Sequence, residues 1–145
     1  MKSEQLVKQF FEEVRSGRHP ERAAKYMADT VHAHQVISEN TQTVVRTPQD
    51  YTDHVHEMIE AYGDFSVELQ ECIATDEKVY VRWKQIGTHI GTHIGIVDGY
   101  EPTGLPVIEI ASAVYRIQNE KIVEYWIQID RAGIETQLKQ NKVLD

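Results

Sequence analysis

The sequence predicts an α+β fold in which helices cover one face of a curved antiparallel sheet. In the first part of the chain, apolar residues recur at helical spacing, as in LVKQFFEEV. From Phe65 onward the period changes to two, as in FSVELQECIA and VIEIASAVYRI. Helices followed by a run of long strands are typical of α+β proteins. At 145 residues, the chain is expected to be a single domain over 1–145.

Three helices are expected before the long strands. Ser3 is a candidate N-cap for the first, and Gly17 is a natural end for it. Pro20 suits the first turn of a shorter second helix. VHAHQV reads as a short strand. Thr47 and Asp50 then have the spacing of a capping box at the start of a third helix.

Turn-forming segments divide the rest of the chain into four long strands and a final helix. The turns are TDEK, DGYEPTG and the residue pair 119–120. The last strand, KIVEYWIQID, has Tyr125 and Ile127 on one face and Trp126 on the other. Because both faces carry apolar side chains, both are expected to be covered. Helices around a cavity would cover one face and a second copy of the chain the other; the alternative is a monomer with some exposed apolar surface.

Composition argues against several classes of partner. The net charge of -8 and the lack of a basic run disfavour nucleic acid. No apolar run reaches the length of a membrane span, so no membrane partner is predicted. Cys72 is the single cysteine, so no disulfide can form within the chain. This fits a reducing, cytoplasmic setting.

The stretch GTHIGTHIG repeats four residues and places His89 and His93 four apart. Its three glycines and β-branched residues make a poor helix, whereas a strand would also put both histidines on one face. A zinc site needs three or four converging ligands, and no tight ligand motif surrounds this pair. We therefore predict no metal.

Glu109 lies in VIEIASAVY, a strand otherwise almost free of charge. A buried carboxylate is costly unless it is paired or functional. The residue either faces a pocket as an acid/base or pairs with Arg82 or Lys84 on the neighbouring strand, and the structural pair is favoured. Trp83 is interpreted as core and pocket wall.

Several segments together resemble the SnoaL-like polyketide cyclases, also called ester cyclases, of the nuclear transport factor 2-like superfamily. They are RWKQIGTH, PTG and VYRIQNEKIVEYWIQIDRAGIETQL. The resemblance implies a cone of antiparallel sheet closed by helices around an apolar pocket, and a homodimer packed sheet to sheet. It also implies ring closure by an intramolecular aldol reaction with no metal or cofactor.

The resemblance assigns roles to particular residues. The family pattern W-x-x-x-D matches Trp126 and Asp130, which implies that Asp130 is the acid/base. His34 matches a histidine of the family's first short strand, and His89 or His93 matches its GTHxG. The repeat then looks like a four-residue insertion that preserves the facing of the strand. The predicted catalytic residues are Asp130, His34 and His89, and the predicted pocket residues are Trp126, Gln128, Trp83, His93 and Glu109.

Asp130 has an alternative role, because it precedes the last helix and Asp is a favoured N-cap. The predicted function is acid/base chemistry, of the aldol or enolisation type, on a small apolar carbonyl or polyketide-like compound. A ketosteroid-isomerase-like reaction falls in the same class. The alternatives are a non-catalytic ligand-binding domain on the same scaffold and an epoxide hydrolase, which would need an Asp-Arg-Asp set holding a water.

Overall fold

A computed structural model of the protein describes the backbone of residues 1–94 and 97–144 and the side chains of residues 1–92 and 99–142. It confirms the α+β fold. The helices are α1 (Ser3–Phe10), α2 (Ala23–Tyr26), α3 (Pro48–Tyr62) and α4 (Arg131–Leu144), with a π-helical turn at Phe11–Arg15 and a 3₁₀ turn at Pro20–Arg22. The strands are β1 (Met27–Gln35), β2 (Gln42–Arg46), β3 (Ser66–Ala74), β4 (Lys78–Thr88), β5 (His93–Ile94), β6 (Val97–Asp98), β7 (Pro106–Gln118) and β8 (Lys121–Ile129).

Six strands form one curved, open sheet in the order β2-β1-β8-β7-β4-β3. Every neighbouring pair is antiparallel except β1 and β8, which run parallel with His34 opposite Trp126. The expected all-antiparallel sheet is therefore a mixed one. No hairpin joins β1 to β8, so no tight turn requires these two strands to run in opposite directions.

Local sequence signals account for several element ends. Thr47 accepts a hydrogen bond from the Asp50 backbone and its own backbone donates to the Asp50 side chain, which completes the predicted capping box of α3. The β7–β8 hairpin turns at residues 119 and 120, which both have positive φ. Ser3 does not cap α1, because Lys2 holds the N-cap position. The Ser3 hydroxyl instead donates to the carbonyl of Thr75, over a distance of 2.5 Å.

The sheet has an inner face covered by helices and an outer face that the described chain leaves open. On β4 and β7, odd-numbered residues such as Trp83 and Ala111 are buried on the inner face. The even-numbered residues between them point outward and are partly or fully exposed. An aromatic cluster that includes Phe10, Phe11 and Tyr115 fills the space between α1 and the inner face.

The two copies of GTHI have different structures. The first copy ends β4, and the backbone N–H of His89 donates to the Leu105 carbonyl. The chain then leaves the sheet, because the N–H groups of Ile90 and Gly91 both donate to the carbonyl of Ala61 in α3. The second copy enters the separate β5–β6 ribbon. The two copies therefore do not form the single continuous strand that was expected, and the side chain of His93 lies outside the described residues.

Of the helices in the described part of the chain, none combines the length and apolar character that a membrane span requires.

Candidate functional site

A cavity of about 290 Å³ lies between the inner face of the sheet and α3. Its buried floor carries Arg15, Gln85 and Glu109. The lining residues that stay exposed, Gln42 and Glu57 among them, mark its opening. The rest of the wall is aromatic, aliphatic or polar, and includes Gln35, Val44, Arg46, Tyr51, His54, Met58, Ala61, Tyr62, Tyr115, Tyr125, Ile127 and Ile129.

Glu109 is the buried carboxylate of this cavity. It lies on the inner face of β7, directly opposite Gln85 of β4, and only 3% of its surface is exposed. Its Oε1 accepts a hydrogen bond from the Tyr62 hydroxyl at 3.2 Å, and its Oε2 accepts one from Arg15 at 3.4 Å. Both oxygens of the Glu109 carboxylate are therefore held by donors of the protein. The ion pair expected with Arg82 or Lys84 does not form, because both residues are on the outer face of β4.

Arg15 reaches the floor of the cavity from the π-helical turn that follows α1. The backbone N–H of Ser16 donates to the carbonyl of Phe11, five residues back, so the turn is wider than an α-helical one. The wider turn rotates Arg15 towards the apolar side of the helix. The guanidinium lies 5.5 Å from the ring centroid of Trp83 and 5.8 Å from that of Phe65. π-Helical turns of this kind are frequent at functional sites.

Gln85 is fully buried beside Arg15 and Glu109. Its Oε1 accepts a hydrogen bond of 2.7 Å from Arg15 Nη1. Within the described residues no group accepts a hydrogen bond from its Nε2. Because a buried amide donor is usually hydrogen-bonded, this N–H group is available to a molecule bound in the cavity.

Tyr62 is held beside Glu109 by close packing at the end of α3. A Cβ atom on Gly87 of β4 would lie 2.6 Å from the Cβ of Tyr62, so this position requires glycine. The absence of a side chain at Gly87 lets Tyr62 pack directly against β4. The sequence shows Gly87 only as part of the GTHI repeat, whereas its structural role is to admit Tyr62.

Four tyrosines of the cavity wall stay neutral at ordinary pH. Burial raises the pKa of Tyr51 and Tyr125, and it raises the pKa of Tyr115 well above its usual value. Burial, followed by the charge of Glu109 and its hydrogen bond, raises the pKa of Tyr62. The wall of the cavity therefore presents O–H groups that donate hydrogen bonds without carrying charge.

Asp130, the predicted acid/base, does not face this cavity. It is exposed at the end of β8, and its Oδ1 accepts a 3.0 Å hydrogen bond from the backbone N–H of Gly133. It therefore caps the start of α4, as the alternative interpretation had it. Gln128 points the same way and is also exposed. Because side chains alternate along a strand, the inner positions of β8 belong to Ile127 and Ile129.

His34 and Trp126, also predicted site residues, form a cluster on the outer face. Their rings are stacked, with centroids 5.2 Å apart. His34 Nε2 donates to Glu124 at 2.6 Å, and its Nδ1 lies 2.8 Å from the Thr43 hydroxyl. Arg116 donates to the same carboxylate at 2.9 Å. The sheet therefore separates this cluster from the cavity.

His89 and Trp83 point to the inner side without lining the cavity. His89 is fully buried, and its Nδ1 lies 3.4 Å from the Thr103 hydroxyl. Trp83 is fully buried beneath Arg15 and packs against Phe11, with ring centroids 5.1 Å apart. Of the predicted pocket residues, Glu109 is the one that lines the cavity; the side chain of His93 is outside the described part of the chain.

Arg15, Arg46, Tyr62 and Gln85 are among the cavity residues that were not selected from the sequence. Arg15 and Tyr62 carry weak signals, because each lies within or beside the apolar positions of an amphipathic helix. Gln85 is a second signal, since it is polar at an inner position of β4, where its neighbours along the face are Trp83 and Gly87. Gln85 and Glu109 share one pattern: each is a polar residue at a strand position whose neighbours on the same face are buried.

The family model for SnoaL-like polyketide cyclases matches residues 5–138 of the chain. No curated protein matches the sequence of this chain. Solved structures match its fold over nearly the whole chain. A polyketide cyclase candidate from Acidithiobacillus ferrooxidans is 23% identical with a TM-score of 0.80, and the alignment covers 94% of each chain.

Two further structures show the range of proteins on this fold. IdmH from Streptomyces antibioticus, described as a polyketide cyclase candidate, is 19% identical with a TM-score of 0.73, over 93% of this chain and 96% of that one. An LEH-like epoxide hydrolase from M. tuberculosis is 13% identical with a TM-score of 0.66, over 97% of this chain and 91% of that one. At these identities the likeness establishes the fold alone.

Proposed function

Because the chain belongs to the SnoaL-like polyketide cyclase family, we propose that it is a cofactor-independent enzyme that enolises a small carbonyl compound, with Glu109 as the acid/base. The observation that carries the proposal is a buried carboxylate in a cavity wall, held by Arg15 and Tyr62. The volume of about 290 Å³ suits a small molecule.

Glu109 is suited to removing a proton from carbon. Each of its oxygens accepts one hydrogen bond from the protein and keeps a second lone pair. Its hydration is replaced by fixed donors, so no solvent shell has to rearrange when the proton moves. The proton passes from the carbon beside the carbonyl to Glu109, which becomes a neutral acid, and the electron pair forms an enolate.

The negative charge that develops on the enolate oxygen needs hydrogen-bond donors. The neutral hydroxyls of Tyr51, Tyr115 and Tyr125 line the cavity, and Gln85 Nε2 has no partner within the described residues. Donors fixed in a water-poor site are worth more than the same donors in water. The enolate then takes the proton back at another carbon, or attacks a second carbonyl of the same molecule. In the aldol case, the new alkoxide takes the proton from Glu109.

Epoxide hydrolysis fits the cavity less well. The Asp-Arg-Asp set expected for that reaction has two carboxylates on one arginine. Here Arg15 donates hydrogen bonds to one carboxylate, that of Glu109, and to the neutral amide of Gln85. An amide has no acidic proton to give to the opening epoxide oxygen, so we favour enolisation.

Deuterium exchange tests the proposal directly. The probe is methyl β-benzoylpropionate, a ketone with an apolar ring, incubated in deuterium oxide and followed by proton NMR. We expect the wild-type chain to accelerate exchange at the carbon beside the ketone. The substitution Glu109→Gln should lower that rate by about two to four powers of ten, the usual worth of a positioned general base.

Two control variants separate this site from the residues selected from sequence. Glu124→Gln removes a carboxylate that, like Glu109, is hydrogen-bonded to an arginine and to a second side chain, His34, but lies on the outer face. Asp130→Asn keeps the cap of α4, because Asn caps about as well as Asp. Neither should change the exchange rate. A loss in Asp130→Asn with full activity in Glu109→Gln would refute the assignment, and a folded wild-type protein that binds the ketone without exchange would favour a ligand-binding role.

A further inference from the structure

The open end of the cavity carries a second arginine whose surroundings differ from those of Arg15. Arg46 is the last residue of β2, and its side chain lies on the cavity wall with those of Gln42 and Val44. No ion pair joins it to any acidic side chain in the described part of the chain. Its Nε is buried and has no hydrogen-bond partner there. A buried donor of a charged group without a partner is unusual.

Two acidic residues of this region, Asp50 and Glu57, form no ion pair with Arg46, although the hydrogen bonds from Thr47 and then the charge of Arg46 lower the pKa of Asp50. Asp50 receives the backbone N–H of Thr47 at 2.9 Å and serves the cap of α3. Glu57 also lines the cavity, but its side chain is 76% exposed and lies 4.0 Å from His54. Solvent therefore screens the charge of Glu57. The positive charge of Arg46 remains available to the cavity.

The position of Arg46 is consistent with a role towards a ligand. Burial raises the pKa of Tyr51 and Tyr125, and the charge of Arg46 partly offsets both rises, so Arg46 lies near both phenol groups. Gln35 and Gln42 face each other across β1 and β2 on the same wall. The open end of the cavity therefore combines one guanidinium with two neutral amides, all able to donate hydrogen bonds.

Taking the cavity of the proposed function as the site, we propose that its substrates are keto acids whose carboxylate binds Arg46 near the opening while the ketone lies against Glu109 on the floor. Guanidinium groups bind carboxylates through two parallel N–H donors. Strand β2 is three strands from β7, which is about 14 Å along the sheet. Side chains reach inward from both ends, so a ligand that spans the remaining gap has a few carbons between its carboxylate and its carbonyl.

The test compares β-benzoylpropionate with its methyl ester, which has the same ketone and ring but no charge. Isothermal titration calorimetry on the full chain should show the acid binding at least about tenfold more tightly, as a hydrogen bond to a charged group predicts. Arg46→Gln should make the two affinities equal. Arg46→Lys should keep part of the preference, because it keeps the charge and loses the planar fork.

Two further variants complete the test. Arg82→Gln removes an arginine from the outer face, where it pairs with Glu71, and should leave the preference unchanged. Glu109→Gln should lower the rate of deuterium exchange by about the same two to four powers of ten yet keep the preference for the acid. If the wild type prefers the acid but does not accelerate deuterium exchange, the carboxylate site at Arg46 is supported and the proposed enolising activity is refuted. Equal affinities in the wild type, no detectable binding of the acid at millimolar concentration, or a preference that persists in folded Arg46→Gln would overturn the inference.

Discussion

The two faces of the sheet carry clusters of similar composition in opposite environments. On the inner face, Glu109 accepts hydrogen bonds from Arg15 and Tyr62. On the outer face, Glu124 is bonded to Arg116 and to His34. The side chains of the inner ion pair are 6% and 4% exposed, whereas those of the outer pair are 38% and 20% exposed.

The difference shows why residue type alone does not locate an active site. The outer cluster contains His34 and Trp126, which sequence analysis selected, together with the carboxylate of Glu124, which it did not. Solvent competes for its hydrogen bonds and screens its charges, so each of these contacts contributes little to stability. The inner cluster is built from less conspicuous residues, but there each charge must be matched by the protein.

Removing the arginine from each cluster gives the largest expected contrast. Arg15→Met leaves the Glu109 charge buried without its ion pair, which should lower the free energy of unfolding by about 3–5 kcal/mol. Arg116→Met on the outer face should cost about 1 kcal/mol or less, because solvent replaces the lost partner. Urea denaturation at neutral pH measures both.

A double variant identifies the cause of the loss. In Arg15→Met with Glu109→Gln, the buried charge is gone, so part of the lost stability should return. Equal losses in the two single arginine variants would contradict the distinction between the faces. No recovery in the double variant would mean that Arg15 stabilises the fold by packing against Trp83 and Phe65 instead.

The sequence predicts elements whose causes are local, and it fails where the cause is distant. The capping box at Thr47 and the hairpin at residues 119–120 were recognised from neighbouring residues alone. Glu109 was recognised as anomalous within its strand, but its partner Arg15 is 94 positions away on a helix. The wider π-helical turn that rotates Arg15 inward has no signature that we recognised in FEEVR.

The wrong face of β8 was selected for a related reason. Alternation along the strand groups Trp126, Gln128 and Asp130 together, and that grouping is correct. Which of the two groups faces the helices depends on how the whole sheet curves. Both groups contain aromatic or apolar residues, so hydrophobicity did not distinguish them.

A homodimer formed by the outer face stays a prediction. Disrupting that dimer is the second test of the difference between the two faces. Ile86 and Ile108 are 41% and 37% exposed on this face and lie opposite each other on β4 and β7. We expect a dimer mass by light scattering at micromolar concentration. Ile108→Glu should weaken association by about 2 kcal/mol or more if the residue lies within the interface. A wild-type monomer at that concentration would contradict the prediction.

The smallest expected effect comes from the outer carboxylate. The hydrogen bond from His34, and then Arg116, lower the pKa of Glu124 below its usual value of 4.5. A carboxyl group whose pKa is lowered in the folded state adds stability above its unfolded pKa and loses that contribution as the pH falls through its folded pKa. Glu124→Gln should therefore reduce the free energy of unfolding by about 1 kcal/mol or less at neutral pH. Urea denaturation of both proteins over a pH series measures the difference, which should shrink towards zero as the pH falls below 4.5. A difference that is constant with pH would mean that the charge of Glu124 contributes nothing, and a difference of several kcal/mol would place this cluster in a buried environment such as a dimer interface.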